Sequence, residues 1–436
     1  MGTSADRKIM VLRKITGLAA LAFVLPLVAC SAATEDVAST VPMPEPSTSA
    51  QVYENPSEAS DSIAKCKIKE QNPQRQSFTN VWTGFPRVSP GTESSGTVTW
   101  ALIPIEFPDL PGESDFRPRV DGQMELLSEW FDSASGGKFK VEWRVLDSWA
   151  TLPDKSKNYK IEQSANVDMA KNGEKLFRDA MNAADPLFDF SDIQTVNFIL
   201  PSGQTIITES SQGFPWDSVV RQYESDEGKI DSYSIAGKFF DEPGRTYWSY
   251  WAHEFGHAMG LPHIGASRGV TPPFNPWDLM GGQDGPSREL SGWLRFLAGW
   301  LDDENVYCKE SENIESLEMT LVPLSGNDSR FRLAVIPVSK TKAILIESRR
   351  ETKFSCPTDP ARNGALVYVY DATFGHNENF FVEVSPPGRE VQYSSCQFAP
   401  GTPDLLLRAG DKVEVEGVAV EVVEHGEFDK IRISRN

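Results

Sequence analysis

Residues 253–263 read His-Glu-Phe-Gly-His-Ala-Met-Gly-Leu-Pro-His and hold three of the five histidines of the chain. On a helix, His253 and His257 lie one turn apart and face the same way. Gly260 can take the left-handed conformation that ends a helix and turns the chain sharply. That turn allows His263 to fold back toward the other two. The sequence therefore predicts a helix and a turn that bring three imidazoles together.

Three imidazoles at this spacing are a typical ligand set for a zinc ion. Three protein ligands leave the fourth tetrahedral position open for water, as in catalytic rather than structural zinc sites. Zinc lowers the pKa of that water to about 7, and Glu254 is placed to accept its proton as a general base. Two alternatives are an ordinary helix with three histidines and a structural zinc site, which would leave Glu254 unexplained. Because the chain has only five His in 436 residues, chance clustering is improbable.

The composition is that of a globular protein, with 39% hydrophobic and 24% charged residues. The length allows two or three domains. The chain has 42 basic and 62 acidic residues and a net charge of −20. Phosphate binding needs a basic face, so this balance argues against nucleic acid as the main partner.

The first 62 residues are predicted to direct export rather than to fold. Four basic residues precede the apolar run 15–29, which has the length of a signal-peptide core. Leu-Val-Ala-Cys at 27–30 resembles a bacterial lipobox, so we expect a signal peptide over 1–29 and a lipid on Cys30. The alternative is an ordinary signal peptide with an incidental Cys. Residues 31–62 contain 14 Ser, Thr or Pro, which predicts a disordered tether over 30–62 on the extracellular side of a bacterial membrane.

Four further cysteines allow two disulfides in an exported chain, with three possible connectivities. Proximity in sequence favours Cys356–Cys396 and leaves Cys66–Cys308, but the sequence does not decide between the pairings. Metal binding by these thiols is the weaker interpretation, since no pair has CxxC spacing.

The apolar patterns predict an α+β domain followed by an all-β domain. Strand patterns occur at 98–107, 138–145 and 196–200, and helical spacing occurs at 177–184 and 248–258, with Thr246 as a candidate N-cap. We expect these elements to form one domain over residues 63–303. Seven short β-rich runs at roughly ten-residue spacing then predict a sandwich-like domain over 304–436.

HEFGHAMGLPH resembles the long zinc motif of the metzincin metallopeptidases, and Met280, in Trp-Asp-Leu-Met-Gly, is similar to their Met-turn. More narrowly, residues 95–436 resemble the M6 family, the immune-inhibitor-A-like bacterial proteases. The supporting segments are 130–139, 183–191, 290–301, 346–349 and 364–371. The resemblance implies a metzincin-like fold and a zinc-dependent endopeptidase acting on proteins or peptides.

Two departures from the family pattern matter. Many M6 members have Asp where His263 stands. Because His263 is closer to the general metzincin pattern, it is retained here as a predicted ligand. No Tyr follows Met280 within 20 residues, so the group that would stabilise the oxyanion has no candidate in the sequence.

Other signals are weaker. Asp226, Glu227 and Asp231 surround Gly228 and suit calcium, although a solvated acidic loop is the simpler interpretation. His376 is isolated in sequence, as is His425, and both are predicted to be surface residues.

The sequence as a whole predicts a lipid-anchored zinc endopeptidase with Glu254 as general base. The membrane would be reached through the lipid alone. The alternatives are a cell-surface binding or adhesion protein on a protease-like scaffold and a metallohydrolase of cell-wall peptides. Cleavage specificity, propeptide removal and oligomeric state are not predicted.

Overall fold

The computed structural model describes residues 52–73, 81–88, 92–242, 244–265, 274–285, 287–356, 362–389, 391–392 and 402–435. The predicted signal peptide, Cys30, most of the predicted tether and Cys396 lie outside the described residues. Among the helices of the described part, none is long and apolar enough to cross a membrane.

The first half of the chain builds a six-stranded sheet. Its strands are β1 (Gly96–Glu106), β2 (Phe139–Val145), β3 (Ala150–Thr151), β4 (Ile193–Ile199), β5 (Ser211–Gly213) and β6 (Ser232–Ile235). Their order is β2-β1-β4-β6-β5, with β3 pairing the end of β1. β2, β1, β4 and β6 are parallel, whereas β5 runs antiparallel to β6 at the edge. Parallel neighbours need long crossover connections, and helices supply them.

The described α-helices are α1 (Arg117–Ser135), α2 (Met169–Ala184), α3 (Ser218–Gln222), α4 (Tyr247–Ala258) and α5 (Gly292–Ala298). α1 connects β1 to β2, and α2 lies in the connection to β4. α2 begins where the Asp168 side chain accepts the backbone N–H of Lys171 at 3.1 Å, which satisfies a free donor of the first turn. α1 ends at Gly136, whose φ of 65° is left-handed.

Strand β1 supports a core on each face of the sheet, because successive side chains of a strand point to opposite sides. Trp100 and Leu102 pack with α1, α4 and α5. Ala101 and Ile103 pack with α2 on the other side. The sheet is thus enclosed between helices, which explains why β1 is continuously apolar from Trp100 to Ile105.

The second half consists mainly of two packed sheets. One contains β7 (Val306–Cys308), β9 (Leu333–Pro337), β10 (Lys342–Arg349), β11 (Gly364–Asp371), β12 (Phe381–Glu383) and β15 (Leu406–Leu407). The other contains β8 (Ser316–Leu321), β16 (Lys412–Val415), β17 (Val418–His425) and β18 (Asp429–Arg435). A short ladder pairs β13 (Val391–Gln392) with β14 (Thr402–Pro403).

The sheet that contains β10 and β11 is buried on both faces. Ile344 and Val367 face the second of these sheets in a shared cluster, as in a sandwich. Leu345 and Tyr368 face the opposite way and join the cluster of α4 and α5. The two halves of the chain therefore share one hydrophobic core, and residues 51–436 form a single compact unit. The division into a zinc peptidase domain over 63–303 and a β domain over 304–436 stays a prediction.

The segment before the first sheet is tied to the second half. Cys66 and Cys308 form a disulfide, which confirms one of the two expected pairings. Upstream, the N–H of Ser57 donates to the carbonyl of Glu318, and that of Asp61 donates to the carbonyl of Cys308. The prediction of a disordered tether was therefore wrong for residues 52–62, because backbone hydrogen bonds attach this segment to β7 and β8.

The sequence predicted a mixed α and β chain, and the structure agrees at that level. The first half differs from the expected α+β arrangement, since its sheet is mainly parallel and is crossed by helices on both faces. The patterns at 98–107, 138–145 and 196–200 correspond to β1, β2 and β4, and those at 177–184 and 248–258 to α2 and α4. The β-rich runs of the second half correspond to β8 through β12 and β16 through β18.

Candidate metal centre

Helix α4 carries the first two candidate ligands, and its apolar side chains belong to the core that the two halves of the chain share. Thr246 occupies the N-cap position as predicted, but its hydroxyl contacts Ser249 Oγ at 2.5 Å and not a backbone N–H. Gly260 has φ of 89°, which confirms the predicted left-handed turn. The N–H of Gly260 donates to the carbonyl of His257 at 2.8 Å, and that of Leu261 donates to Gly256. The turn after α4 is thus closed by backbone hydrogen bonds.

His253 and His257 are buried and face each other on one side of α4. Their Nε2 atoms are 3.2 Å apart. Two nitrogen ligands of one tetrahedral zinc ion, with bonds of about 2.0–2.1 Å, lie about 3.3 Å apart. The separation between the two imidazoles therefore matches the separation that zinc requires.

The tautomers of these two rings follow from their hydrogen bonds. Nδ1 of His253 lies 2.7 Å from the carbonyl oxygen of Leu279, and Nδ1 of His257 lies 3.0 Å from that of Leu261. A carbonyl oxygen only accepts, so each Nδ1 carries the hydrogen and each Nε2 keeps a lone pair. Two lone pairs that face each other at 3.2 Å repel, and a cation between them would remove the repulsion. Metal-binding histidines commonly donate their second nitrogen to a backbone carbonyl in this way.

His263 completes the group. Its ring centroid is 5.4 Å from that of His253 and 5.7 Å from that of His257, and the first two rings are 4.8 Å apart. Rings that share one tetrahedral zinc ion have centroids about 5 Å apart. Nδ1 of His263 is buried without a hydrogen-bond partner in the described part of the chain, and metal coordination would satisfy such a nitrogen. Among the described residues, no group of three or more His, Cys, Asp or Glu has its donor atoms placed to hold a metal ion as they stand. The ring spacing of the three histidines nevertheless suits zinc, as do the tautomers of His253 and His257.

Burial keeps the imidazoles neutral. It lowers the pKa of His253 to about 3, and it moves the pKa of His257 well below its usual value. The pKa of His263 is lowered by the same cause. Neutral imidazole is the form that binds metals.

Met280 forms the floor of the site. Its side chain is fully buried, and a Cβ placed on Gly256 would lie only 2.5 Å from its sulfur. Its N–H donates to Asp278 Oδ1 at 2.8 Å, and its carbonyl accepts the N–H of Ile264 at 3.0 Å. Met280 therefore lies against the part of α4 between the two ligands, where a Met-turn residue is expected.

Glu254 lies beside the histidines and lines the same cleft. Its side chain is buried, and burial raises its pKa to about 8. A carboxyl group in this position can hold a proton near neutral pH, and a cation at the histidines would lower its pKa. Both properties suit a group that accepts and returns a proton.

The histidines open into a cleft of about 800 Å³. One wall carries Phe214 and Trp216, whose rings stack at 4.9 Å; the Phe214 ring also meets the His257 ring edge to face at 5.9 Å. Gln212 of the edge strand β5 and Arg221 of α3 also line the cleft. Nothing in the sequence pattern singled out these residues.

The structure corrects the prediction for His376. This residue is not an isolated surface residue, because it lines the cleft with the three candidate ligands. Nδ1 of His376 accepts the backbone N–H of His263 at 3.0 Å. Four of the five histidines of the chain thus meet in one place. The scarcity of His was the one signal in the sequence that pointed to this residue.

The remaining predicted site residues lie elsewhere. Cys356 is disulfide-bonded, and its expected partner Cys396 lies outside the described residues. Asp226 and Glu227 lie near Asp185 and raise its pKa, after the larger effect of burial. Asp231 instead lies near Glu93. The calcium site therefore stays a prediction.

Known proteins add little to this description. No family model matches the chain, and no curated protein matches it in sequence. Two crystal structures of wild-type OgpA from Akkermansia muciniphila align with 81% and 79% of this chain and 97% and 96% of their own, at 9% and 10% identity and TM-scores of 0.31 and 0.29. Metalloproteinase-II from Bacteroides fragilis aligns with 51% of this chain and 58% of its own, at 15% identity and a TM-score of 0.25. Overlaps this loose do not establish a shared fold.

Proposed function

We propose that this protein is a zinc-dependent endopeptidase of the metzincin type, similar to the M6 family. The observation that carries the proposal is the pair of Nε2 lone pairs on His253 and His257, 3.2 Å apart. Their Nδ1 atoms are committed to backbone carbonyls, so a metal is the partner that this arrangement suits. Lipid attachment at Cys30, on the extracellular side of a bacterial membrane, is part of the same proposal.

His253, His257 and His263 would hold the zinc ion, which supplies Lewis acidity toward a carbonyl and lowers the pKa of a water molecule. The buried carboxyl group of Glu254 accepts a proton from the attacking water as its oxygen bonds to the scissile carbon. Glu254 then returns the proton to the amine nitrogen as the C–N bond breaks. The balance of the reaction is one water consumed and one peptide bond hydrolysed.

The cleft suits an extended peptide. β5 lies at the edge of the first sheet, where its described pairing is with β6 alone. Gln212 of this strand lines the cleft, so an added peptide strand would run past the histidines and gain main-chain hydrogen bonds. Phe214 and Trp216 then offer an aromatic surface to a substrate side chain.

The test is cleavage of a quenched-fluorescent peptide library by the zinc-loaded chain lacking residues 1–29, with Cys30→Ser to avoid a free thiol. Glu254→Gln is the matched control, since it keeps the shape of the side chain and removes the base. We expect chelator-sensitive cleavage by the parent chain and none by Glu254→Gln, with one zinc per chain in both.

Two results would contradict the proposal. Equal cleavage by Glu254→Gln would remove Glu254 from the reaction. No cleavage by either protein, each with one zinc bound, would favour the binding scaffold or the cell-wall peptide hydrolase. Muropeptides tested in the same assay distinguish these two alternatives.

A further inference from the structure

We infer that His376 is the hydrogen-bond donor that stabilises the oxyanion formed when the scissile carbonyl is attacked. The inference rests on the proposed peptidase function and adds a catalytic residue to it. It assigns to the second half of the chain a role for which the sequence near Met280 offers no tyrosine.

The first step is the tautomer of His376. Its Nδ1 accepts the backbone N–H of His263, so Nδ1 carries the lone pair. A neutral imidazole has one bare nitrogen and one N–H, and Nε2 of His376 therefore carries the hydrogen. In the described part of the chain, no acceptor competes for that hydrogen.

The same tautomer excludes a role as a fourth zinc ligand. The only lone pair of the ring is used by the His263 N–H, and Nε2 has none to give. The ring lines the cleft, with its centroid 5.8 Å from that of His257. Negative charge develops on the attacked carbonyl beside the metal ligands, where this ring lies. Hydrogen-bond donors at that place contribute strongly to catalysis.

The loop that carries His376 is fixed on both sides. The N–H of Asn377 donates to the carbonyl of His263 at 2.9 Å, which pairs the loop with the ligand turn in both directions. The carboxylate of Glu378 accepts the N–H of Gly375 at 2.7 Å and the side-chain amide of Asn72 at 2.9 Å. A group held in this way is preorganised and needs no rearrangement when charge appears.

Two substitutions separate the two nitrogens of His376. In His376→Asn, the amide oxygen can replace Nδ1 as acceptor for the His263 N–H, but the Nε2 donor is lost. In His376→Gln, the longer amide can place a donor near the Nε2 position while the acceptor at Nδ1 is lost. A catalytic donor predicts that Gln is the better replacement, whereas a structural role predicts that Asn is.

The experiment measures kcat and KM of the zinc-loaded chain for the best library peptide. For His376→Asn we expect kcat to fall about 10²–10³-fold, with KM within about threefold and zinc content unchanged. His376→Gln should recover at least about tenfold of that loss. His425→Asn is the matched histidine control, since His425 pairs with Asp429 away from the cleft, and it should keep full activity. A kcat for His376→Asn close to that of the parent, or a Gln variant no better than the Asn variant, would overturn the inference.

A second measurement does not depend on turnover. In ¹⁵N-histidine-labelled protein, the His376 resonances, assigned by their loss in His376→Asn, should show a protonated Nε2 and a bare Nδ1. Adding a phosphinic tripeptide to the zinc-loaded protein should shift the Nε2–H signal, and His376→Asn should bind that tripeptide at least about tenfold more weakly. A protonated Nδ1, or equal binding by the variant, would refute the role of His376. Failure of the parent chain to cleave any peptide would instead count against the proposed function.

Discussion

Replacing Gly256 by alanine would place a methyl group between the metal-binding helix and the residue beneath it. The added Cβ would lie 2.5 Å from Met280 Sδ and 3.0 Å from Met280 Cε. Alanine in place of glycine usually stabilises a helix interior by about 1 kcal/mol. Overpacking a full core costs about 1–3 kcal/mol. Met280 is fully buried, so its side chain cannot move aside into solvent. We therefore expect Gly256→Ala to lower the free energy of unfolding by up to about 2 kcal/mol.

The matched control is Gly122, which lies in α1. A Cβ at that position meets no atom within 4 Å, so Gly122→Ala should raise the free energy of unfolding by up to about 1 kcal/mol. The opposite signs of the two changes isolate the contact with Met280 from helix propensity.

The assay is urea unfolding of the zinc-free protein, so that stability is separated from metal binding. Met280→Ala alone should cost about 2–5 kcal/mol through the cavity that it leaves. In the double variant, the total loss of unfolding free energy should be smaller than the sum of the two single losses by at least about 1 kcal/mol, because the methyl group then fills part of the cavity. Strict additivity, or stabilisation by Gly256→Ala, would refute the packing argument and with it the placement of Met280 beneath the site.

Three further outcomes are expected. Replacing both Cys66 and Cys308 by Ala opens a loop with a sequence separation of 242 and should cost about 5 kcal/mol on loop entropy; unchanged unfolding of the variant would contradict this. Removing zinc with a chelator should lower the melting temperature, because a ligand that binds the folded state stabilises it, and His257→Ala should lose this response; a shift that persists in His257→Ala would refute the ligand assignment. Glu347→Ala should lower the free energy of unfolding by about 3–5 kcal/mol, because it leaves the buried Arg349 without its carboxylate partner. In calorimetry, Glu347→Gln should lower it less, since this variant keeps an acceptor for the N–H of Gly292.

Local patterns predicted the elements whose apolar residues follow one simple period. α2 follows helical spacing over its buried face, and the β10 and β11 runs are continuous because both faces of their sheet are buried. The turn at Gly260 was predictable because a single residue type suits its backbone conformation. Because that turn folds the chain back toward the helix, the motif 253–263 also predicted that its three histidines come together.

The missed features depend on contacts between distant parts of the chain. β5 and β6 contain polar residues and are short, so that no period marks them. His376 lies 113 positions after His263, in a loop whose local sequence gives no sign of its neighbours. The tether over 30–62 was predicted from composition alone, and composition does not show that residues 52–62 form hydrogen bonds with β7 and β8, the end strands of two different sheets.

The joint construction of the cleft has a consequence for biosynthesis. During translation, the helix with His253 and His257 leaves the ribosome well before the loop with His376, and the partner that closes the disulfide of Cys66 also comes later. A nascent chain therefore carries an incomplete cleft until most of its second half has been made. Under the proposed function, the protein would therefore stay inactive toward its own unfolded chain and toward neighbouring proteins until synthesis is nearly finished.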